Sequence, residues 1–437
     1  MLVSRSPWDG VILGEFPEDA DPAGAFARIR APSRGEARTG LERLAQVLVA
    51  HRQEAIDLLV REAGKVVADA AAEADLLPRK IATVLGPGLA SVPDGIPDTA
   101  GVRWIPRGPA VVLGPFNFPL HLLHGLVVPA LAVGCPVVAK PSERTPALGA
   151  WYRDRLDEAG LSPFVQVVQG GPTTAAILVD HPAVATVAAV GSRTMGVALA
   201  RRLAERPEVV LALELGGVNH VLIRDDADLA VAAAAVADGA WKMAGQRCTA
   251  TRIVHVSRGR SREFFDILAD LRDHWTPTGQ HTSPAGPMID GDTRRRILAP
   301  FTDLPRGWRI LGGDPTACPA GPASADPLLV LAGDRQDLRY HTEHFGPVLL
   351  VDLHDHEREA LTAMRTNSHR LSAGIWTADR TAFAQLADEL PYGLISHNQN
   401  TAGARGDLPF GGCGLSGNGH PAGLCATRIF ADETAIW

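Results

Sequence analysis

The chain is poor in several things at once. Of its 437 residues only five are cysteine, 5% are aromatic and four are lysine, leaving 38 arginines to carry the rest of the basic charge. Cys135, Cys248, Cys318, Cys413 and Cys425 are odd in number, widely spaced and without a Cys-x-x-Cys pair. That excludes a disulfide scaffold and reads as reduced thiols in a cytoplasmic protein. No run of like charge stands out and the net charge is −7, so nucleic acid is not expected as a partner. Trp8 and Asp9 stand where a secretory leader would need an apolar run, so no signal peptide is expected. The longest uncharged stretch, Gly108 to Ala139, is broken by Pro109, Pro115, Pro119, Pro129 and Pro136. It reads as buried strand, turn, helix and strand, and no membrane span is expected.

What remains is ordinary globular composition, 46% hydrophobic and 21% charged, in a chain long enough to divide into two or three domains. Leu41, Leu44, Val47, Leu48, Ile56 and Leu59 recur at helical spacing between Glu36 and Arg61, and Lys65 to Leu85 continues as an alanine-rich helix. Val102 to Ile105 reads as an extended arm, of the sort that crosses to a neighbouring subunit. From Ala110 the pattern becomes short apolar strands between helices: AVVLG, CPVVAKP, PFVQVVQG, ATVAAVG and VVLALELGG. Near-continuous apolar strands alternating with helices predict an α/β fold with a parallel sheet covered on both faces. A second α/β unit is expected from about Val218, with strands HVLIR, TRIVHV, LLVLA and VLLVD and helices over 228–243 and 261–271.

Three residues invite a chemical reading. Cys248, in Gly245-Gln246-Arg247-Cys248-Thr249, sits on a loop between a helix and a strand, where a nucleophile is commonly presented; a small buried hydrophobe is the alternative. Glu214 lies at the carboxyl end of an apolar strand, where an acid must be paired or used. Asn117, between Pro115 and Pro119, is either an oxyanion donor or a turn residue. His341, Glu343 and His344 are clustered, but a catalytic metal asks for three convergent ligands.

GPFNFP, AKPSE, LELGG, GQRCT, EHFGPV and PFGG occur in this order. Together they resemble the aldehyde dehydrogenase superfamily across nearly the whole chain. The resemblance implies a Rossmann-like NAD-binding domain over 1–87 and 108–216, an α/β catalytic domain over 217–412, and an oligomerisation arm over 88–107 and 424–437. It implies that Cys248 is a low-pKa nucleophile forming a thiohemiacetal and then, by expelling hydride, a thioester. Asn117 and the Cys248 backbone N–H would hold the oxyanion, and Glu214 would activate water for hydrolysis. Coenzyme A-acylating members tend to lack this glutamate. A coenzyme A-acylating or acyl-reducing enzyme, and a scaffold without turnover, are the competing readings.

The cofactor is implied to be NAD. Lys140, Ser142 and Glu143 match the adenosine-ribose positions, and Glu143 on both ribose hydroxyls would repel a 2′-phosphate, disfavouring NADP. Gly171 and Pro172 would flank the adenine. Gly191, Ser192 and Gly196 match the pyrophosphate turn, Leu215 lies beside the catalytic glutamate, and Glu343 and Phe345 match the nicotinamide-ribose positions. No metal is implied. Phe118, His121, Leu122 and Gly125 share a helical face that by resemblance lines the aldehyde funnel, with a His and a Gly making it polar and roomy. Arg247 and Arg405 are candidates to hold a substrate carboxylate. With Gly417-Asn418 where many relatives have Gly-Arg, the chain is most similar to the succinylglutamate semialdehyde dehydrogenase branch. A polar or carboxylated small-molecule aldehyde is the expected substrate and a homodimer the expected assembly. An N-terminal hairpin and a C-terminal extension are expected to be largely missing.

Overall fold

The computed structural model describes residues 1–96 and 99–437. The arm expected over 88–107 therefore includes two residues, 97 and 98, that lie outside the described residues.

Helices over Arg34–Ala50, Arg52–Ala63 and Val67–Thr83 bury the apolar stripe read from the sequence, with Leu41, Leu44, Leu48, Ile56, Leu59 and Leu77 packed into one core with the helix His121–Val133. The first is started by a capping box. Ser33 Oγ accepts from the Glu36 N–H at 3.2 Å while the Glu36 carboxylate accepts from the Ser33 N–H at 2.9 Å, satisfying two donors that the helix itself leaves open.

Five parallel strands form the first sheet, in the spatial order Val165–Val167, Val137–Lys140, Ala110–Leu113, Thr186–Gly191 and Val210–Leu215. The chain winds outward in one direction, returns to the middle and winds outward in the other. This leaves a crevice at the carboxyl ends of Ala110–Leu113 and Thr186–Gly191, the switch point where open α/β sheets bind ligands. Gly417–Asn418 adds a short antiparallel edge beside Leu213 and Glu214. Asn418 reinforces that edge like a second backbone: its Oδ1 accepts from the Leu213 N–H at 2.7 Å and its Nδ2 donates to the Leu211 carbonyl at 3.1 Å.

The second sheet has seven strands, ordered Arg309–Gly312, Leu328–Leu331, Val348–His354, Thr251–Ser257, Asn219–Ile223, Ser372–Trp376 and Leu394–His397, all parallel except the first. Only three residues separate the end of Val210–Leu215 in one sheet from Asn219 in the other. The carboxyl end of the first sheet is thereby joined to the start of the second.

The expectation of missing terminal elements is corrected. Leu2–Arg5 and Ile12–Phe16 form an antiparallel hairpin, and Ala431–Ile436 pairs antiparallel with Gly101–Pro106 along its whole length. The arm strand is extended, as its sequence indicates, because the tail of the same chain supplies the ladder bonds. No described helix is long and apolar enough to cross a membrane.

Candidate active site

Asn117, Glu214, Cys248 and Glu343 come from four separate elements and line one cleft of about 770 Å³. Leu122, Lys140, Ser142, Glu143, Pro172, Gly191, Ser192 and Phe345 line the same cleft. Gly196 and Leu215 lie beneath it: a Cβ on Gly196 would come within 2.8 Å of Leu215 Cδ1, so their part is close packing of the helix Arg193–Arg202 against the sheet. Gly171 stands outside the lining, its N–H donating to Glu18 at 3.3 Å.

The loop that carries Cys248 is held in a costly shape. Met243, Ala244 and Gly245 all take left-handed backbone, at φ 55, 50 and 65°, a conformation that costs a non-glycine residue of order 1 kcal/mol or more. Gly245 cannot be replaced cheaply, since a Cβ there would meet the Gly346 carbonyl oxygen at 2.1 Å. Arg252, only 2% exposed, offsets the strain by donating to the carbonyls of Gly245 at 2.8 Å, Gly346 at 3.0 Å and Arg247 at 3.1 Å. It thus ties the cysteine loop to the loop carrying Glu343 and Phe345. Asn219 adds a second clasp through its Nδ2, which donates to the carbonyls of Cys248 at 2.8 Å and Ala250 at 2.9 Å.

Asn117 Nδ2 donates to the Gln246 carbonyl at 2.9 Å. One of its two amide hydrogens is thereby used to aim the group, leaving the other for a ligand. The turn that carries Asn117 is fixed from behind by a residue the sequence analysis does not single out. Glu73, fully buried, accepts from the N–H groups of Leu120 at 3.0 Å and His121 at 2.9 Å, capping the helix His121–Val133 from a neighbouring helix. Lys65 pairs with Glu73 at 2.9 Å and lies 3.8 Å from the centre of the Phe118 ring. Removing either partner would strand a buried charge.

Two carboxyls that line the cleft are displaced from their ordinary range. Burial pushes Glu214 up to about 8; the neighbouring Cys248 thiol opposes that rise and Glu343 adds to it. Among the described residues no donor meets strict hydrogen-bond geometry at either Glu214 oxygen, and the group facing it is the Cys248 thiol. Glu343 is pushed up to about 7, again by burial, with Arg252 and the Gly217 N–H opposing. It accepts from that N–H at 3.2 Å. Gly216 makes this approach possible, because a Cβ there would lie 1.8 Å from a Glu343 oxygen.

The expectation of a low-pKa thiol is corrected for the resting protein. Cys248 is held well above the ordinary thiol range by its enclosure and then by the two acids facing it, while the arginine beside it points elsewhere. Arg247 donates to the carbonyls of Asp238 at 2.7 Å and Gly239 at 3.4 Å, because the left-handed loop turns its side chain back onto the preceding helix. It does not reach the cleft as a free cation. Arg405 is likewise corrected as a substrate-holding residue: it is exposed and bonded to Asp407 at 3.1 and 2.7 Å. Phe118 and His121 stand behind the Asn117 turn and do not line the large cleft, whereas Leu122 does.

The aldehyde dehydrogenase family model matches residues 19–433. The chain is 34% identical to N-succinylglutamate 5-semialdehyde dehydrogenase 1 of Caulobacter vibrioides over 99% of its own length and 95% of that protein's. Among solved structures it is similar to glyceraldehyde-3-phosphate dehydrogenase GapN of Methanocaldococcus jannaschii complexed with NADP, at a TM-score of 0.90 and 21% identity, covering 100% of this chain and 98% of that one. It is also similar to 1-pyrroline-5-carboxylate dehydrogenase from Thermus with bound NAD, at 0.92 and 22%, covering 100% and 89%. The chain belongs to the aldehyde dehydrogenase family and is an oxidoreductase acting on the aldehyde group.

Proposed function

We propose that this protein uses NAD to oxidise a carboxylated semialdehyde, an N-acyl glutamate semialdehyde such as N-succinylglutamate 5-semialdehyde, to its carboxylic acid. The observation that carries the reading is the convergence of Asn117, Glu214, Cys248 and Glu343 on one cleft that runs on to Lys140, Glu143 and Gly191. The name of the Caulobacter relative supports the substrate class.

The residues present fit a nicotinamide dinucleotide. Gly191 opens onto the cleft where a Cβ would fall 2.7 Å from Met195, and Ser192 starts the helix Arg193–Arg202 by accepting from the Met195 N–H at 3.2 Å. A glycine followed by a capped helix N-terminus suits a pyrophosphate. Lys140, buried and 3.4 Å from Glu143, would hold the adenosine ribose together with that carboxylate, and Glu343 the nicotinamide ribose. When bound, the cofactor accepts the two electrons of the oxidation.

The chain's own work begins at Cys248. Its thiol gives up its proton to solvent and the sulfur adds to the aldehyde carbon. The oxygen's developing charge falls to Asn117 Nδ2 and the Cys248 backbone N–H. Once the thioester has formed, Glu214 takes a proton from water so that hydroxide attacks, and Cys248 leaves as the acid departs. A buried carboxyl with few partners suits this transfer, because it can change charge without breaking a bond network. Preference for carboxylated over chain-matched neutral aldehydes tests the substrate assignment; a preference for neutral ones would remove it.

The choice of NAD rests on Glu143. Glu143→Ala should lower kcat/KM with NAD by roughly ten-fold, the weight of about one hydrogen bond to a charged group, and narrow the gap to NADP. An unchanged NAD to NADP ratio would move the selection elsewhere.

The assembly we infer is a homodimer. The ribbon of Gly101–Pro106 with Ala431–Ile436 is two-stranded and exposes Val102, Ile105 and Trp437. An apolar edge of this kind suits pairing with a second copy. Light scattering at micromolar concentration should give twice the chain mass, and a pure monomer would refute the inference.

A further inference from the structure

Arg252 is a buried cation whose partners are backbone carbonyls. Among the described residues it forms no ion pair, and the acid whose charge reaches it is Glu343. Its place in the sheet is irregular. Thr251 lies against Asn219 and Ile253 against His220, so Arg252 is the extra residue of a bulge at the start of the strand Thr251–Ser257. Bulges beside a site commonly re-aim a side chain, and this one turns the guanidinium onto the loop that carries Cys248.

The guanidinium donates to three carbonyls, and the far ends of those three peptide units differ. The unit of the Gly245 carbonyl ends at the Gln246 N–H, which donates to the Met243 carbonyl at 3.0 Å. The unit of the Gly346 carbonyl ends at Pro347, which has no N–H. The unit of the Arg247 carbonyl ends at the Cys248 N–H, which meets no acceptor among the described residues. The Arg247 oxygen is held twice, by Arg252 Nη2 and by the Ala250 N–H, each at 3.1 Å, so both of its lone pairs are engaged. A trans peptide is planar, with its C=O and N–H pointing in opposite directions. Fixing the Arg247 oxygen therefore fixes the direction of the Cys248 N–H. A cation on the carbonyl oxygen also draws charge from the far end of the unit and makes that N–H the stronger donor, since hydrogen bonds in a chain polarise one another.

We propose that Arg252 is a positioning residue for the oxyanion: its guanidinium, bonded to the Arg247 carbonyl, aims and polarises the Cys248 N–H that meets the charge developing on the substrate oxygen. The inference rests on the reading of the Cys248 N–H and Asn117 as the oxyanion donors. Arg252 does not line the cleft and acts through the peptide unit alone. Preorganised donors of this kind lower a barrier where charge develops and leave a step without an oxyanion unaffected.

Two reagents separate the oxyanion from the thiol, and neither needs the cofactor. p-Nitrophenyl acetate acylates sulfur through a tetrahedral oxyanion, releasing nitrophenolate and leaving an acetyl group on the cysteine. Iodoacetamide alkylates the same sulfur by displacing iodide, with no oxyanion. Both consume the thiolate, so the ratio of the two rates, read by mass at the peptide containing Cys248, is independent of the thiol's ionisation. Arg252→Gln should lower that ratio roughly 10- to 100-fold, short of the roughly 10²- to 10³-fold that follows loss of an entire oxyanion donor. Arg252→Lys keeps the cation but not the fork that reaches three carbonyls. Its ratio should fall between those of the parent and Arg252→Gln, and it carries the test if the Gln variant fails to fold. Asn117→Ala is the reference for the oxyanion reading itself. A ratio lowered by Asn117→Ala but unchanged in the Arg252 variants would overturn the role of Arg252 and leave the oxyanion donors standing. Two rates that fall in step in those variants would do the same, marking Arg252 as a packing residue. A ratio unmoved by all three substitutions would overturn both.

Discussion

Glu214→Gln is expected to produce one equivalent of reduced cofactor per active site and then to stall, with steady-state turnover down roughly 10²- to 10⁴-fold, the usual weight of a positioned general base. The amide fills the same space at the end of Val210–Leu215 but cannot take a proton from water, so the thioester persists. Rapid mixing separates the two phases: a burst followed by silence supports the assignment, and full turnover removes Glu214 as the base. The pH dependence follows from the same carboxyl. Glu214 must be ionised to act, and burial has pushed it up to about 8. Turnover of the parent should therefore rise with pH through 7 and 8, and the burst-phase variant should lose that limb. Stability carries the opposite sign. A carboxyl whose folded pKa is raised from 4.5 to about 8 holds its proton in the folded state after the unfolded chain has released it. Its contribution to stability therefore falls as pH rises across that window. Glu214→Gln should be no less stable than the parent at pH 5 and increasingly more stable by pH 8 in denaturant titrations.

Cys248→Ala carries the largest expected loss. Without the sulfur there is no thiohemiacetal and no thioester, and Asn117 and Glu214 have nothing to act upon. Turnover should fall below detection, with no burst. Cofactor binding should persist, since Lys140, Glu143, Gly191 and Glu343 reach the cleft from other elements. Fluorescence titration with NAD measures the binding, and residual oxidation above that of the buffer would show a route that bypasses the thiol. Thermal unfolding serves as the control. Alanine removes only the sulfur of a half-buried side chain, and the loop keeps its clasps from Asn219 and Arg252.

The parts of this site that are legible in the sequence are those fixed by the local backbone. Apolar runs such as VVLAL and TRIVHV read as buried strands, which places Glu214 at a strand end and Cys248 on the loop before a strand. Gly191 and Ser192 could be read because a glycine followed by a serine before a helix has few conformations open to it. Side-chain direction is the part that could not be read. Arg247 stands next to the nucleophile, yet the left-handed run of Met243, Ala244 and Gly245 turns it away, and no spacing rule encodes that turn. Lys65, Glu73 and Arg252 escaped for a different reason. Each acts on a segment distant in the chain, and one arginine among 38 carries no mark of being buried. The scarcity of lysine was the available signal: with only four in the chain, each occupies a place where an ammonium on a flexible stem serves better than a planar guanidinium. The short strands Ser372–Trp376 and Leu394–His397 complete the second sheet through pairing with Asn219–Ile223 and with each other, long-range partnerships that local pattern does not reveal.

The central claim is that the aldehyde becomes a thioester on Cys248 before water releases it as acid. The direct measurement is peptide mass mapping of Glu214→Gln quenched after mixing with NAD and an N-acyl glutamate semialdehyde. The account predicts the mass of the acyl group on the peptide containing Cys248 and on none of the peptides containing Cys135, Cys318, Cys413 or Cys425. Acid product formed with no adduct at Cys248, or an adduct confined to another cysteine, would contradict it.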